Sequence, residues 1–185
     1  MLKIKNVSKS YDQKVLNNFS YEFPQHGLFV IRGNSGVGKT TLLRLIADLE
    51  KPDEGEIQLE KGSKISFVFQ EARLFPFVTL LENILLVKKE NDLKKAKRIL
   101  EEIALLDAME KYPHELSGGM KLRGAVARSL YYGGDIYLWD EPTKELDPKN
   151  RTKMIELIHA MAEDKLMIVV SHDPELCGGT EIYIQ

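Results

Sequence analysis

Apolar and polar residues alternate at the start of the chain, with Leu2 and Ile4 on one side and an irregular Val7 after them, which predicts a half-buried strand over residues 2–7. Residues 17–23 alternate again, and Pro24-Gln25-His26-Gly27 reads as a turn. The next run, Leu28-Phe29-Val30-Ile31, is apolar without a break, as a buried strand must be. Leu42, Leu43, Leu45 and Ile46 then recur at helical spacing. A polar turn at residues 51–55 precedes short strands at 56–59 and 65–69, the second delivering Gln70 at its end. The opening third is therefore strand-rich.

The middle of the chain is helical. Residues 80–87 are apolar enough for a buried helix, with Pro76 before them and Thr79 as the cap. Asn91 or Asp92 caps the next helix, in which Leu93, Ala96, Leu100, Ile103 and Leu106 keep a three-to-four spacing. Its outer face, Lys94, Lys95, Lys97, Arg98, Glu101 and Glu102, reads as a solvated surface rather than a site for an anionic partner. A third helix is predicted from near Ser117 to Tyr132. Strand, helix and strand follow at 136–139, 148–162 and 166–170, and residues 181–185 make a short closing strand. Strands alternating with helices predict a mostly parallel sheet in an α/β fold.

Composition narrows the class. The 185 residues suit one domain with room for a subdomain, and 43% apolar with 29% charged residues is ordinary for a globular protein. A net charge of −2 supplies no general attraction for nucleic acid. The single cysteine, Cys177, excludes an internal disulfide and reads as a thiol without chemistry. No apolar stretch approaches the roughly 18 residues that span a bilayer, and Met1 to Lys5 lack the core of a signal peptide. The expectation is a cytoplasmic chain that another subunit holds at any membrane it serves. His26, His114 and His159 match no metal-ligand spacing.

The chemistry centres on Gly33-Asn34-Ser35-Gly36-Val37-Gly38-Lys39-Thr40-Thr41, which fits the phosphate-cradling pattern G-x-x-x-x-G-K-[ST] between a buried strand and a helix. Glycines let successive N–H groups turn inward, and the helix N-terminus adds partial positive charge, so polyphosphate is the natural guest. Lys39 would reach the terminal phosphates and the Thr40 hydroxyl would ligate Mg²⁺. A second element, Ile136-Tyr137-Leu138-Trp139-Asp140-Glu141, ends a buried strand in two acids. Asp140 would hold Mg²⁺ directly or through water, and Glu141 would polarise an attacking water. A third, Leu116-Ser117-Gly118-Gly119-Met120, opens a helix and is either a second anion site or a simple capping turn.

In this order and spacing the residues resemble the ATP-binding-cassette (ABC) family over essentially the whole chain. Gly33 to Thr40 match its Walker A loop, Gln70 its Q-loop, Leu116 to Met120 its signature motif and Ile136 to Asp140 its Walker B strand. Glu145-Leu146-Asp147 falls on the D-loop, Ser171-His172-Asp173 on the H-loop, and Tyr11 where an aromatic stacks on adenine. The resemblance implies an ABC-type P-loop core with an N-terminal antiparallel β-subdomain. Residues 1–70 and 133–185 would form that body, and 71–132 an inserted helical subdomain. It implies an Mg²⁺-dependent ATPase in which two copies sandwich ATP head-to-tail, the nucleotide of one meeting Ser117, Gly118 and Gly119 of the other. Glu141 would act as general base, His172 would orient the attack, Gln70 would couple Mg²⁺ to the helical segment, and Asp147 would join the two sites.

Leu74-Phe75-Pro76-Phe77, with Val78 and Leu80, would contribute to a groove for a transmembrane permease on the inner face of the membrane. A solute-binding protein would be a further partner, and nucleic acid none. Met120 in place of the usual glutamine resembles ATPases of importers for nitrate, sulfonate and taurine. Leu122 also departs from the common pattern, and Lys144-Glu145 replaces the commoner Ser-Ala. With the chain ending soon after His172, no appended regulatory domain is expected. The alternative reading is a soluble ABC ATPase that moves no solute, such as a nucleic-acid, ribosome or cluster-assembly factor.

Overall fold

The chain runs through β1 (Leu2–Ser10), β2 (Lys14–Phe23), β3 (Gly27–Arg32), α1 (Lys39–Ile46), β4 (Glu54–Leu59), β5 (Ile65–Val68), α2 (Leu80–Leu85) and α3 (Leu93–Glu102). It continues with α4 (Gly118–Tyr132), β6 (Ile136–Asp140), α5 (Pro148–Ala162), β7 (Leu166–Val170) and β8 (Thr180–Tyr183). This computed structural model describes residues 1–184; Gln185, the last residue of the closing strand expected at 181–185, lies outside the described residues.

The strands form two sheets. One is antiparallel, ordered β2-β1-β4, and the other has five strands ordered β5-β6-β7-β3-β8, every ladder of it parallel. The period of two decides which core each strand residue joins. Phe29 and Ile31 of β3, Leu138 of β6 and Ile168 of β7 face α1 and the inner side of the antiparallel sheet, against Leu42, Leu43, Leu2 and Phe23. Their neighbours Leu28, Val30, Trp139 and Val169 face α4 and α5, against Val126, Met154 and Ile158. Both faces of the parallel sheet are thus covered, which is why its strands read as continuous apolar runs.

A third core joins α2, α3 and α4 through Leu80, Ile84, Ala96, Leu100, Ala127 and Tyr131. Helix α4 packs on the sheet with one side and on α2 and α3 with another, so it carries small residues, and a Cβ on Gly124 would lie 2.7 Å from Leu80 Cδ1. Thr79 caps α2 in a reciprocal capping box with Glu82, and Asp92 caps α3 by accepting from Lys95 N.

Several boundaries differ from those expected. β1 runs on to Ser10 and β2 starts at Lys14, because the hairpin continues through register shifts that break strict alternation. β5 stops at Val68, leaving Phe69 and Gln70 in the following loop, and α2 stops at Leu85. On α3 the stripe is rotated: Leu93, expected in the core, is 46% exposed, while Ile99 is buried. Leu80 is fully buried, so core packing claims it and it cannot line a docking groove.

Candidate functional site

The carboxyl ends of β3, β5, β6 and β7 lie on one edge of the parallel sheet, where open α/β sheets bind ligands. The loops leaving them carry Gly33–Lys39, Gln70, Glu141 and His172. Ser35, Gly36, Lys39, Thr40, Gln70, Asp140, Glu141, Lys144 and His172 line one cavity of about 500 Å³.

The phosphate loop is tight. Gly38 caps α1 at φ 97°, and a Cβ there would sit 2.5 Å from the Val15 carbonyl oxygen, so only glycine fits. Lys39 is buried, its Nζ donating to the carbonyls of Gly33 at 2.8 Å and Asn34 at 2.7 Å. The ammonium therefore lies inside the curve of its own loop. Asn34 and Ser35 are exposed, and Val37 packs inward on the core.

The Thr40 hydroxyl donates to Asp140 Oδ2 at 2.6 Å. Asp140 is 1% exposed, and burial pushes its carboxyl above the ordinary carboxylate range, against the Thr40 hydrogen bond and the charges of Arg44, Lys39 and Lys144. A hydroxyl beside a desolvated carboxylate, with the Gln70 amide on the same cavity, is an oxygen-donor set that fits Mg²⁺. No cluster of three or more His, Cys, Asp or Glu residues able to hold a metal is found among the described residues.

Glu141 stands at φ 53°, a left-handed conformation that strains a residue with a side chain. Its N–H donates to the Val170 carbonyl at 2.9 Å, and its carboxylate lies 3.6 Å from His172 Nε2. Burial raises the Glu141 carboxyl above its usual range, opposed by the backbone N–H and charge of His172. A carboxylate so placed is poised to take a proton.

The other expected residues lie around this cavity rather than in it. Tyr11 is 54% exposed, and its hydroxyl donates to the Glu50 carboxylate, which also pairs with Arg44 of α1 at 3.2 Å. Ser117 caps α4, accepting from Met120 N at 3.3 Å. Gly118 lines a separate cavity of about 350 Å³ together with Gln70, Lys144 and Glu145. A Cβ on Gly118 would collide with the Glu145 carboxylate, and one on Gly119 would lie 2.9 Å from the Glu145 carbonyl oxygen. Asp147 caps α5, accepting from the Asn150 N–H at 3.0 Å and from the Asn150 amide at 2.5 Å.

Two residues important to this arrangement escape sequence reasoning. Arg32, between the buried strand and Gly33, donates to the carbonyls of Ser171 at 2.6 Å, Asp173 at 3.0 Å and Leu176 at 2.9 Å, tying the His172 loop to the phosphate loop. Lys144 lines the same cavity as Lys39 and Glu141. A charge at the end of an apolar run was the sole signal for the first, and the departure from Ser-Ala the sole signal for the second.

The sequence profile of the family described as ABC transporter matches residues 16–144. The chain is 36% identical over 175 residues to the aliphatic sulfonates import ATP-binding protein SsuB 1 of Shouchella clausii, covering 93% of this chain and 71% of that one. It is 35% identical over 196 residues to the glutamine transport ATP-binding protein GlnQ of Escherichia coli, covering 94% and 81%. Among solved structures it is similar to the ATP-binding cassette MJ0796, a protein of Methanocaldococcus jannaschii, in a dimeric post-hydrolysis state bound to ADP and Pi. That match has a TM-score of 0.89 at 32% identity and covers 100% of this chain and 94% of the other.

Proposed function

The chain belongs to the ABC transporter family, and from that premise we propose that it is the ATP-binding and hydrolysing subunit of an importer. Two copies close around ATP and pass that closure to a separate membrane permease. The observation that carries the reading is the gathering of Lys39, Thr40, Gln70, Asp140, Glu141 and His172 in one cavity, with the signature glycines outside it. The named relatives are import or transport ATP-binding proteins, and a solved relative is a dimer holding ADP and Pi.

In this mechanism the polyphosphate lies along the inward N–H groups of residues 33–41, with Lys39 moving from its own loop carbonyls to the phosphate oxygens. Tyr11 offers its exposed ring to the adenine. Thr40, Asp140 and Gln70 hold Mg²⁺, which when bound neutralises charge on the terminal phosphates. Glu141 takes the proton of the attacking water while His172 holds the water and γ-phosphate in line. The bond from the γ-phosphorus to the bridging oxygen breaks, and ADP and phosphate leave. Ser117, Gly118 and Gly119 of a second copy complete the cradle, and Asp147 links one site to the other.

Gln70 lies in the loop after β5, where the β-rich body of residues 1–70 and 133–184 gives way to the helical body of 71–132, so phosphate contact there turns the helical part. Phe75 and Phe77 are exposed, Phe77 by 90%, on the loop before α2, and form the apolar contact for the permease. No helix among the described residues is long and apolar enough to cross a membrane. In this reading the permease holds the chain at the inner face of the membrane. The cargo is chosen by the permease and its binding protein.

Glu141→Gln tests the assignment. It should bind ATP, lose about 10²- to 10³-fold in turnover and accumulate as a dimer in size-exclusion chromatography. Hydrolysis at the parental rate would refute Glu141 as the general base.

A further inference from the structure

Lys144 belongs to the turn that follows β6, its N–H donating to the Glu141 carbonyl at 3.1 Å. The next residue, Glu145, is held at φ 61°, a left-handed conformation. Lys144 and Glu145 both line the smaller cavity at Gly118, but only Lys144 also lines the main cavity, with Lys39, Gln70, Glu141 and His172, while the Glu145 carboxylate presses against Gly118.

Two observations bear on what the ammonium does. Among the described residues no carboxylate lies within ion-pair distance of Lys144, so its charge is not already matched. The cavity it enters holds Gln70, Glu141 and His172 but not Tyr11, which makes it the phosphate end of the site rather than the base end. A lysine supplies a mobile point charge rather than a rigid fork, well suited to a group that changes charge and leaves.

We propose that Lys144 is a second phosphate-facing cation, which reads the γ-phosphate of the nucleotide held by its own chain and so favours ATP over ADP. The proposal rests on the nucleotide-site reading above. It adds a specificity-determining residue that the phosphate-loop lysine alone does not supply, because Lys39 reaches the polyphosphate from inside the loop and Lys144 from the Glu141 side.

The test compares ATP and ADP affinities, with Mg²⁺, in the Glu141→Gln chain so that hydrolysis does not blur binding. Lys144→Ser should weaken ATP about three- to tenfold, as expected for losing one partly solvated charge-assisted contact, and leave ADP within about twofold. Lys144→Arg should keep most of the ATP preference. Equal affinities before and after the change to Ser, or equal losses for both nucleotides, would overturn the proposal. Lys39→Ala serves as the separate control and should lose both nucleotides. If it binds both like the parent, the site reading itself fails and Lys144 fails with it.

Discussion

Arg32 makes the loop after β7 a fixed part of the site. Its guanidinium donates to three carbonyls of that loop, and it also pairs with Glu181 at 3.3 Å, so most of its planar fork is used. Lysine has a single ammonium and cannot span carbonyls on residues 171, 173 and 176 together. Arg32→Lys should therefore loosen His172 while leaving the phosphate loop intact. Steady-state ATPase assays should give a kcat about three- to tenfold lower with little change in KM, since a misplaced orienting group costs rate more than binding. An unchanged kcat would mean that the loop holds its active position without Arg32. The site was legible where chemistry follows a local pattern: Lys39 and Thr40 in a glycine-spaced loop, Asp140 and Glu141 at the end of an apolar run, His172 just after another. Arg32 was not, because its partners lie 139 to 144 residues away. The covering of Gly118 by Glu145 was hidden for the same reason.

At the scale of elements, Asn83 holds together the segment that carries the exposed phenylalanines. It is fully buried in α2, accepts from the Phe75 N–H at 2.7 Å, and donates to the carbonyls of Phe75, Val78 and Thr79 at 3.0 to 3.2 Å. Truncation would orphan a buried amide and carbonyl, so Asn83→Ala should cost about 2–3 kcal/mol after the better helix propensity of alanine is allowed for. That corresponds to a Tm lower by roughly 4–10 °C, with faster proteolysis between residues 75 and 79. A Tm within about 1 °C of the parent would mean that the loop is held by something else. The fully buried run of β7 and the helix before it were the easiest to read: residues 148–162 and 166–170 coincide with α5 and β7. Errors fell where neighbours decide. β2 begins at Lys14 because its register shifts against β1, and the α3 stripe turns toward Ile99 because α3 leans on α4. Neither choice is written in local periodicity.

For the whole molecule, the decisive fact is that Ser35, Gly36 and Lys39 of the phosphate loop line one cavity and Gly118 another, with Glu145 lying over Gly118. On the proposed reading, both anion-binding elements close on one nucleotide only in a head-to-tail pair with two-fold symmetry. Mixing two defective chains tests this directly. Lys39→Ala spoils the phosphate loop but leaves the signature glycines intact. Gly118→Asp leaves the loop intact but puts a side chain and a negative charge where a phosphate should land. Each variant paired with itself has no complete site. A mixed pair has one, built from the loop of the Gly118→Asp chain and the glycines of the Lys39→Ala chain. Equal mixing makes about half of the pairs mixed, so activity should recover to about a quarter of the parental rate. If each chain instead built its own site, mixing would give no more than the mean of the two variants. Recovery would tie hydrolysis to the meeting of two chains, and so make closure of the pair the motion available to a permease.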